Sequence, residues 1–290
     1  MTLGRQAVMA RDARPDFIEA LARGLDVLRC FQPGRPVMTL SEIAGATGLA
    51  RPTVRRILLT LEDLGYVRSA ERGFALTPRV LELGMTYINA LGVWEVARPH
   101  MQRLVAQTNE STSMAQLDGS DIVYVTRVAV PKIITLGVSI GTRFPAPATS
   151  MGKVLLAALD EETLDRVLAV PGRSGITPRW QPDRAALDAS LREVRARGWA
   201  LADEDLAPGI RSVATGVRDG RGRVVAAINV TVHAAETSVR TLTEEHLPRL
   251  LCTAADISRD WALLDAVPSA LQEATVEPAP VPAARVDAGT

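Results

Sequence analysis

Cysteine is scarce in this 290-residue chain: Cys30 and Cys252 are the only two, and more than 200 residues separate them. Each sits within an apolar helical pattern and reads as a small buried hydrophobe, which argues against a disulfide or a thiol metal pair. The three histidines, His100, His233 and His246, form neither an H-x3-H nor an HExxH spacing, so no metal site is expected. No apolar run approaches the ~20 residues that span a bilayer. Met1 to Arg14 carry charges of both signs and no apolar stretch, unlike a signal peptide. The simplest expectation is a cytoplasmic protein with no membrane partner. Net charge is absent too, with 33 basic residues against 33 acidic, which at first sight argues against nucleic acid.

The charges are unevenly placed, however. Residues 1–77 hold eleven arginines against eight acids, a net of +3, so the equal totals leave −3 for the rest. A mildly basic small module tied to a mildly acidic larger one suits a DNA-binding head on a ligand-binding body. Hydrophobic residues make up 47% and charged ones 23%, enough for a real core and ordinary for a globular chain. The length allows one to three domains at roughly 150 residues each.

Phe17, Ile18, Leu21, Leu25, Val27, Leu28 and Phe31 recur at helical spacing, predicting a first amphipathic helix that Gln32-Pro33-Gly34 ends. Thr39 is then a helix N-cap with Glu42 three residues on, the capping-box signature, for a short helix over 40–46 that stops at Gly48. A second helix runs from about Arg51 to Leu64, with Pro52 suited to its first turn, although Ala50 offers no capping oxygen. Tyr66-Val67-Arg68 and Phe74-Ala75-Leu76 read as strands around a turn closed by Gly73. Three helices and a β-hairpin in this order make a winged helix-turn-helix.

Within it, Ile43, Ala44 and Leu49 should face inward with Val54, Leu58 and Leu61. Arg51, Thr53, Arg55, Arg56 and Thr60 then project outward, where arginine can bond bidentately to guanine in a major groove. Arg68 and Arg72 on the wing would reach phosphate or the minor groove, and Thr39 borders the same surface. The bland alternative is a surface helix with solvated arginines. Cap, glycine turn, basic helix and glycine-tipped hairpin occurring together favour the DNA contact.

Flexible residues 1–15 are expected before this head (16–77), and a linker helix (78–92) after it. Over 93–265 strands alternate with helices. A helix from Trp94 to Gln107 precedes strands near 113–117 and 122–129, with Asp118-Gly119 as the hairpin signal between them. A strand near 133–138 precedes helices near 150–159, 161–168 and 183–197. Strands near 199–202, 212–217 and 224–232 precede a long helix over 244–264. The fold class expected is α+β. Residues 266–290, rich in Ala, Pro and Val without period, should stay disordered.

The chain resembles the IclR family of bacterial regulators over about residues 16–265. The resemblance rests on Gly24-Leu-Asp-Val-Leu, the helix-turn-helix, Leu64-Gly-Tyr-Val, Ala148-Thr-Ser-Met-Gly-Lys-Val-Leu-Leu-Ala, Gly198-Trp-Ala-Leu-Ala-Asp-Glu-Asp-Leu-Ala-Pro-Gly-Ile-Arg-Ser-Val-Ala and Asp219-Gly-Arg-Gly-Arg-Val-Val-Ala-Ala-Ile-Asn-Val. It implies a GAF-like α/β effector domain, homodimers or dimers of dimers, binding to double-stranded promoter DNA, and a possible contact with RNA polymerase. Leu136 to Ala146 and Asn229 resemble the branch answering to protocatechuate, 4-hydroxybenzoate or β-ketoadipate (PcaR/PcaU/PobR-like). A short keto acid is the alternative effector.

By position in that family, Thr142, Ser150, Met151, Asp203, Glu204, Ser212, Asn229 and Thr231 should line or border the effector site. Arg143 and Arg211 would supply charge, or would instead bond a neighbouring acid or subunit. Asp203 and Glu204 have a bland alternative as caps. Hydroxyls, an amide and helix N-terminal N–H groups suit a small organic acid. No cofactor motif is present, and Gly152-Lys153 lacks the context of a phosphate loop. Gly137-Val-Ser139-Ile-Gly141 matches a serine-hydrolase elbow in letters, but Pro145 and Pro147 follow where a helix is required. A regulator, not an enzyme, is expected, with the hydrolase as the other class. The linker helix would carry a ligand-induced repacking to the spacing of paired heads.

Overall fold

The computed structural model describes residues 16–31, 34–83, 93–131 and 137–265. The chain divides between residues 90 and 91 into two units. The expected flexible N-terminus, the second half of the linker helix and the expected disordered tail lie outside the described residues; residues 80–83 are helical. Among the described residues no helix is long and apolar enough to cross a membrane.

The first unit runs α1 (Glu19–Arg29), β1 (Val37–Met38), α2 (Leu40–Thr47), α3 (Arg51–Asp63), β2 (Val67–Ala70) and β3 (Gly73–Leu76). Its three strands pair antiparallel in the order β1-β3-β2. Val27, Ile43, Val54 and Leu58 are fully buried, with Met38, Leu61 and Val67 beside them. Ile43 from α2 and Val54, Leu58 and Leu61 from α3 meet because each recurs at helical spacing. The two-residue strand β1 is not legible as periodicity. It forms because position 73 has no side chain: a Cβ there would sit 2.3 Å from the carbonyl oxygen of Met38.

The second unit contains α4 (Val93–Thr108), β4 (Ser111–Asp118), β5 (Asp121–Val128), β6 (Arg143–Pro145), a 3-10 turn (Ala146–Ala148), α5 (Ser150–Ala157), α6 (Glu161–Leu168) and α7 (Arg184–Arg197). β7 (Trp199–Asp203), β8 (Ile210–Arg218), β9 (Val224–His233) and α8 (Leu247–Asp265) complete it. Six strands form one antiparallel sheet in the order β6-β5-β4-β9-β8-β7. Gly119, at φ 62, serves the two-residue turn between β4 and β5. α5 packs against α7 and the sheet, burying Met151, Leu155 and Leu156 with Ala115, Ala214 and Ala227. α4 and α8 pack on each other and on the same strands. Successive strand residues point to opposite faces, so Ile228 and Val230 serve the side opposite Ala227 and Asn229. The α+β organisation expected from the sequence is present.

The long C-terminal helical run begins at Val239, a few residues before its periodicity suggests, and its early part is not regular α-helix. A helical turn at Val239–Thr241 widens to i→i+5 bonding over Leu242–His246, and α8 follows. Pro248, with no N–H to donate, stands where the wide turn ends. Of the strand expected near 133–138, residues 132–136 lie outside the described set and 137–138 are not strand.

The tightest approach in this unit is at Gly152, where a Cβ would lie 2.0 Å from the carbonyl oxygen of Ala146. Gly152→Ala is expected to destabilise the effector unit by about 1–3 kcal/mol or more, as overpacking does. Gly220→Ala, whose Cβ would meet nothing closer than 3.7 Å, should stay within about 0.5 kcal/mol. Urea unfolding of both variants checks this; equal midpoints would refute the Gly152 contact. Removing the cap hydroxyl in Thr39→Ala should cost the head about 0.5–2 kcal/mol, read from its own unfolding transition.

Candidate functional site

The helix-turn-helix is set by two local devices. The hydroxyl of Thr39 accepts from the Glu42 N–H at 3.3 Å, while the Glu42 carboxylate accepts from the Thr39 N–H at 2.8 Å. Donation from the Thr39 N–H, and a further bond from the Thr39 hydroxyl, hold the Glu42 carboxyl below the usual carboxylate range. Gly48, at φ 70, then turns the chain into α3, a conformation that suits a residue without Cβ. As the sequence suggests, Ala50 provides no side-chain cap and Pro52 occupies the first turn.

Arg51, Arg55 and Arg56 on α3, Arg68 on β2 and Arg72 in the wing turn are exposed. Among the described residues none of them is in an ion pair, so their guanidinium groups remain available to an anion. Thr53 is half-buried, and the Thr60 hydroxyl donates back to the Arg56 carbonyl at 3.0 Å. Thr39 is exposed but committed to its capping box. The wing is fastened to α3: the Ser69 N–H donates to the Glu62 carboxylate at 2.7 Å, and bonding from Ser69 lowers the Glu62 carboxyl pKa. That link is invisible to helical or strand periodicity.

The second unit holds a cavity of about 60 Å3 between the sheet and the first turn of α5. This is several times the roughly 10–15 Å3 that holds one water and below the roughly 300–1,000 Å3 of drug-sized ligand pockets. Ser150, Ser212, Asn229 and Thr231 line it, together with Thr149, Ser111, Tyr124 and Arg127. Strand register explains their meeting. Ser111 pairs with Thr231 and Ser113 with Asn229 across β4 and β9, Thr231 with Ser212 across β8, and Ser113 with Arg127 across β5. Directly paired residues share one face, so one face of an otherwise apolar sheet carries a polar patch.

Its hydrogen bonds are largely internal. The Ser150 and Ser212 hydroxyls lie 2.7 Å apart. Asn229 accepts from the Ser113 N–H at 3.1 Å and donates to the Thr231 hydroxyl at 3.0 Å. Burial pushes the Tyr124 phenol up to about 12, so it is a neutral hydrogen-bonding group. The Thr149 side chain caps α5 by accepting from the Gly152 N–H at 3.0 Å.

Six residues expected at this site lie outside the lining. Arg143 is paired with Asp118 across the edge of the sheet, and Arg211 with Asp203 at 2.6 Å, where it also donates to the Thr237 carbonyl. Both arginines therefore follow the alternative of bonding a neighbouring acid, and that engages Asp203 as well. Glu204, at φ 61, accepts from the Gly209 N–H at 2.9 Å and from Arg179 at 3.4 Å, so it organises its own loop. Met151 is packed in the core. The Thr142 hydroxyl accepts from the Ser139 N–H at 3.0 Å. Arg127 was not expected, because its place depends on strand register and a bulge at Met114/Ala115. Ser139 is exposed in a turn that leads into strand β6, not into a helix, so the elbow geometry of a nucleophile is missing there.

Comparison with known proteins accounts for both units. The family model of the IclR helix-turn-helix domain matches residues 20–71, and that of the bacterial transcriptional regulator IclR C-terminal domain matches residues 85–259. The Pca regulon regulatory protein of Pseudomonas putida is 38% identical over 251 residues, 86% of each chain. The p-hydroxybenzoate hydroxylase transcriptional activator of Acinetobacter baylyi is 32% identical, covering 83% of this chain and 91% of its own. A crystal structure of a transcriptional regulator from Rhodococcus sp. RHA1 is 46% identical with a TM-score of 0.75, covering 86% of this chain and all of that one. An IclR homolog from Microbacterium hydrocarbonoxydans, solved with 4-hydroxybenzoate, is 26% identical with a TM-score of 0.73, covering 84% and 99%. With arginines free on a capped helix-turn-helix and both family models matched in order, the chain belongs to the IclR family of ligand-responsive, DNA-binding transcriptional regulators.

Proposed function

We propose that this chain controls genes of aromatic-acid catabolism, its head reading promoter DNA and its second unit binding a small organic acid. The observation that carries the first half is the arginine set on α3 and the wing. Arg51, Arg55, Arg56, Arg68 and Arg72 are exposed without an acidic partner among the described residues. Such groups neutralise backbone phosphates and free their condensed counterions into solution, and guanine offers two acceptors to an arginine entering the major groove. Thr53 and Thr60 would flank them at the base edges, and Thr39 would fix the approach by capping α2.

The second half is supported by the hydroxyl-rich cavity, with Ser150, Ser212, Asn229 and Thr231 as its contacts, and by relatives named for the Pca regulon and for p-hydroxybenzoate hydroxylase. The regulator acts as a homodimer or dimer of dimers in the cytoplasm, because two heads are needed to read half-sites about one helical turn or a multiple apart. The linker over 78–92 would transmit the ligand to the spacing of the heads, and RNA polymerase would be the partner of an activating form. The turn-to-strand setting of Ser139 disfavours a hydrolase.

Fluorescence anisotropy on DNA from beside the gene tests the reading. Arg55→Ala and Arg56→Ala should each lose about 1–3 kcal/mol of binding if they read bases, whereas Arg68→Ala and Arg72→Ala should weaken all sequences alike and flatten the salt dependence. DNA affinity unchanged in all four would refute the interface. Adding protocatechuate, 4-hydroxybenzoate or β-ketoadipate should shift the wild-type affinity, and that acid's own affinity should shift by the same factor on DNA. A response to a short keto acid alone would remove the aromatic assignment and keep the regulator.

A further inference from the structure

The cavity of the effector unit is small for the acids it is proposed to take. Its volume of about 60 Å3 holds a few waters at roughly 10–15 Å3 each, well below the roughly 300–1,000 Å3 of pockets that enclose drug-sized ligands. A ring or a six-carbon chain therefore needs a wall to give way. The floor is fixed, because β9 is bonded between β4 and β8. α5 has no slack, since its first turn already meets the Ala146 carbonyl at Gly152. The turn beside Val138 is bound to Tyr124 of β5 by two backbone bonds, at 2.7 and 2.9 Å.

The loop between β7 and β8, whose Leu206 lines the cavity, is held in another way. Its base closes on itself, the Glu204 N–H donating to the Ile210 carbonyl at 2.8 Å. Glu204 at φ 61 and Gly209 at φ 79 stand at its two ends, the kind of element-terminal position at which loops hinge. Its tip is fastened at Asp205 and Leu206, whose carbonyls accept from the N–H groups of Trp180 and Arg179 at 2.7 and 3.3 Å. The Asp205 carboxylate also receives the buried ammonium of Lys153 at 2.6 Å. Lys153 does not line the cavity; it stands on α5, three positions beyond Ser150. It keeps the Leu201 carbonyl at 3.1 Å and the Trp180 ring at 4.4 Å, so it retains partners when Asp205 leaves. An ion pair Arg179–Glu204 at 3.4 Å is too exposed to add much.

We propose that residues 204–209 are a gate over the cavity, latched shut by the Lys153–Asp205 ion pair, and that effector entry swings Leu206 out of the wall. This deepens the ligand-binding reading above and rests on it. The closed loop is the resting form, and a ligand too large for the closed cavity binds only the open one. Its association rate and apparent affinity then scale with the fraction of open loop. The latch sets that fraction, because a largely buried pair holds strongly while both partners are charged and weakens when one is neutralised.

Hydrogen exchange on the full chain tests the gate without any ligand. The amides of Arg179 and Trp180 should exchange through a local opening, well ahead of those in β8 and β9. Asp205→Asn should speed them about 10-fold and leave the strand amides unchanged. Exchange at Arg179 and Trp180 only together with the sheet overturns the gate. Stopped-flow binding of protocatechuate, 4-hydroxybenzoate and β-ketoadipate then reads entry. Asp205→Asn should raise the association rate of the acid that binds by about 10-fold. Lys153→Met with Asp205→Leu, an apolar pair that still closes the loop, should return that rate to the wild-type level or below. An association rate unchanged in Asp205→Asn, or raised as much in the double variant, overturns the latch. Binding of none of these acids to wild type or to Asp205→Asn overturns the organic-acid reading, while exchange at Arg179 and Trp180 still decides the gate.

Discussion

The effector unit is organised around one close contact, the first turn of α5 against the carbonyl of Ala146. No side chain fits at position 152, so α5 can come down on the 3-10 turn and bring Thr149 and Ser150 to the sheet. The cavity exists because this helix arrives end-on over a polar part of the sheet, while its remaining residues bury apolar surface against Ala115, Ala214 and Ala227. Small residues on the strands permit that depth of packing, and the hydroxyl-bearing rows begin where they end.

The polar patch shows how such a face can be kept inside a core. Unpaired buried polar atoms cost more than the bonds they forgo, and here each amide or hydroxyl finds a neighbour. Asn229 spends its oxygen on the Ser113 N–H and its nitrogen on Thr231, and the Ser111 hydroxyl accepts from the Val130 N–H at 3.1 Å. Asn229 is therefore more an organiser of the face than a free contact. The loop after β7 is secured in the same manner. The Lys153 ammonium reaches the Leu201 carbonyl and Asp205, and the Trp180 N–H donates to the Asp205 carbonyl at 2.7 Å.

Much of the head was legible because its signals are local. The Thr39–Glu42 box, Gly48 and the spacing of Val54, Leu58 and Leu61 all act within a few residues, which is the range over which sequence patterns speak. The effector unit was legible in its elements and less so in its contacts. Arg143 finds Asp118 25 positions away through a hairpin and an edge strand, and Arg127 reaches the cavity only after a bulge shifts the β4–β5 register. Side-chain period along a strand gives the face, but pairing across strands decides which residues become neighbours. β1 and the wide turn at Leu242–His246 were missed because each depends on a partner element or on Pro248, not on its own pattern.

The bond from the Ser69 N–H to the Glu62 carboxylate has a meaning for how this protein can diverge. It couples the end of α3 to the wing, as does the Tyr66 N–H to the Leu61 carbonyl at 2.8 Å. The two DNA-facing elements consequently dock as one body, and orientational freedom is lost once instead of twice. A lineage can exchange the arginines on α3 to read a new operator without re-aiming the wing. Loss of the Glu62 carboxylate, by contrast, would alter grip and reading together.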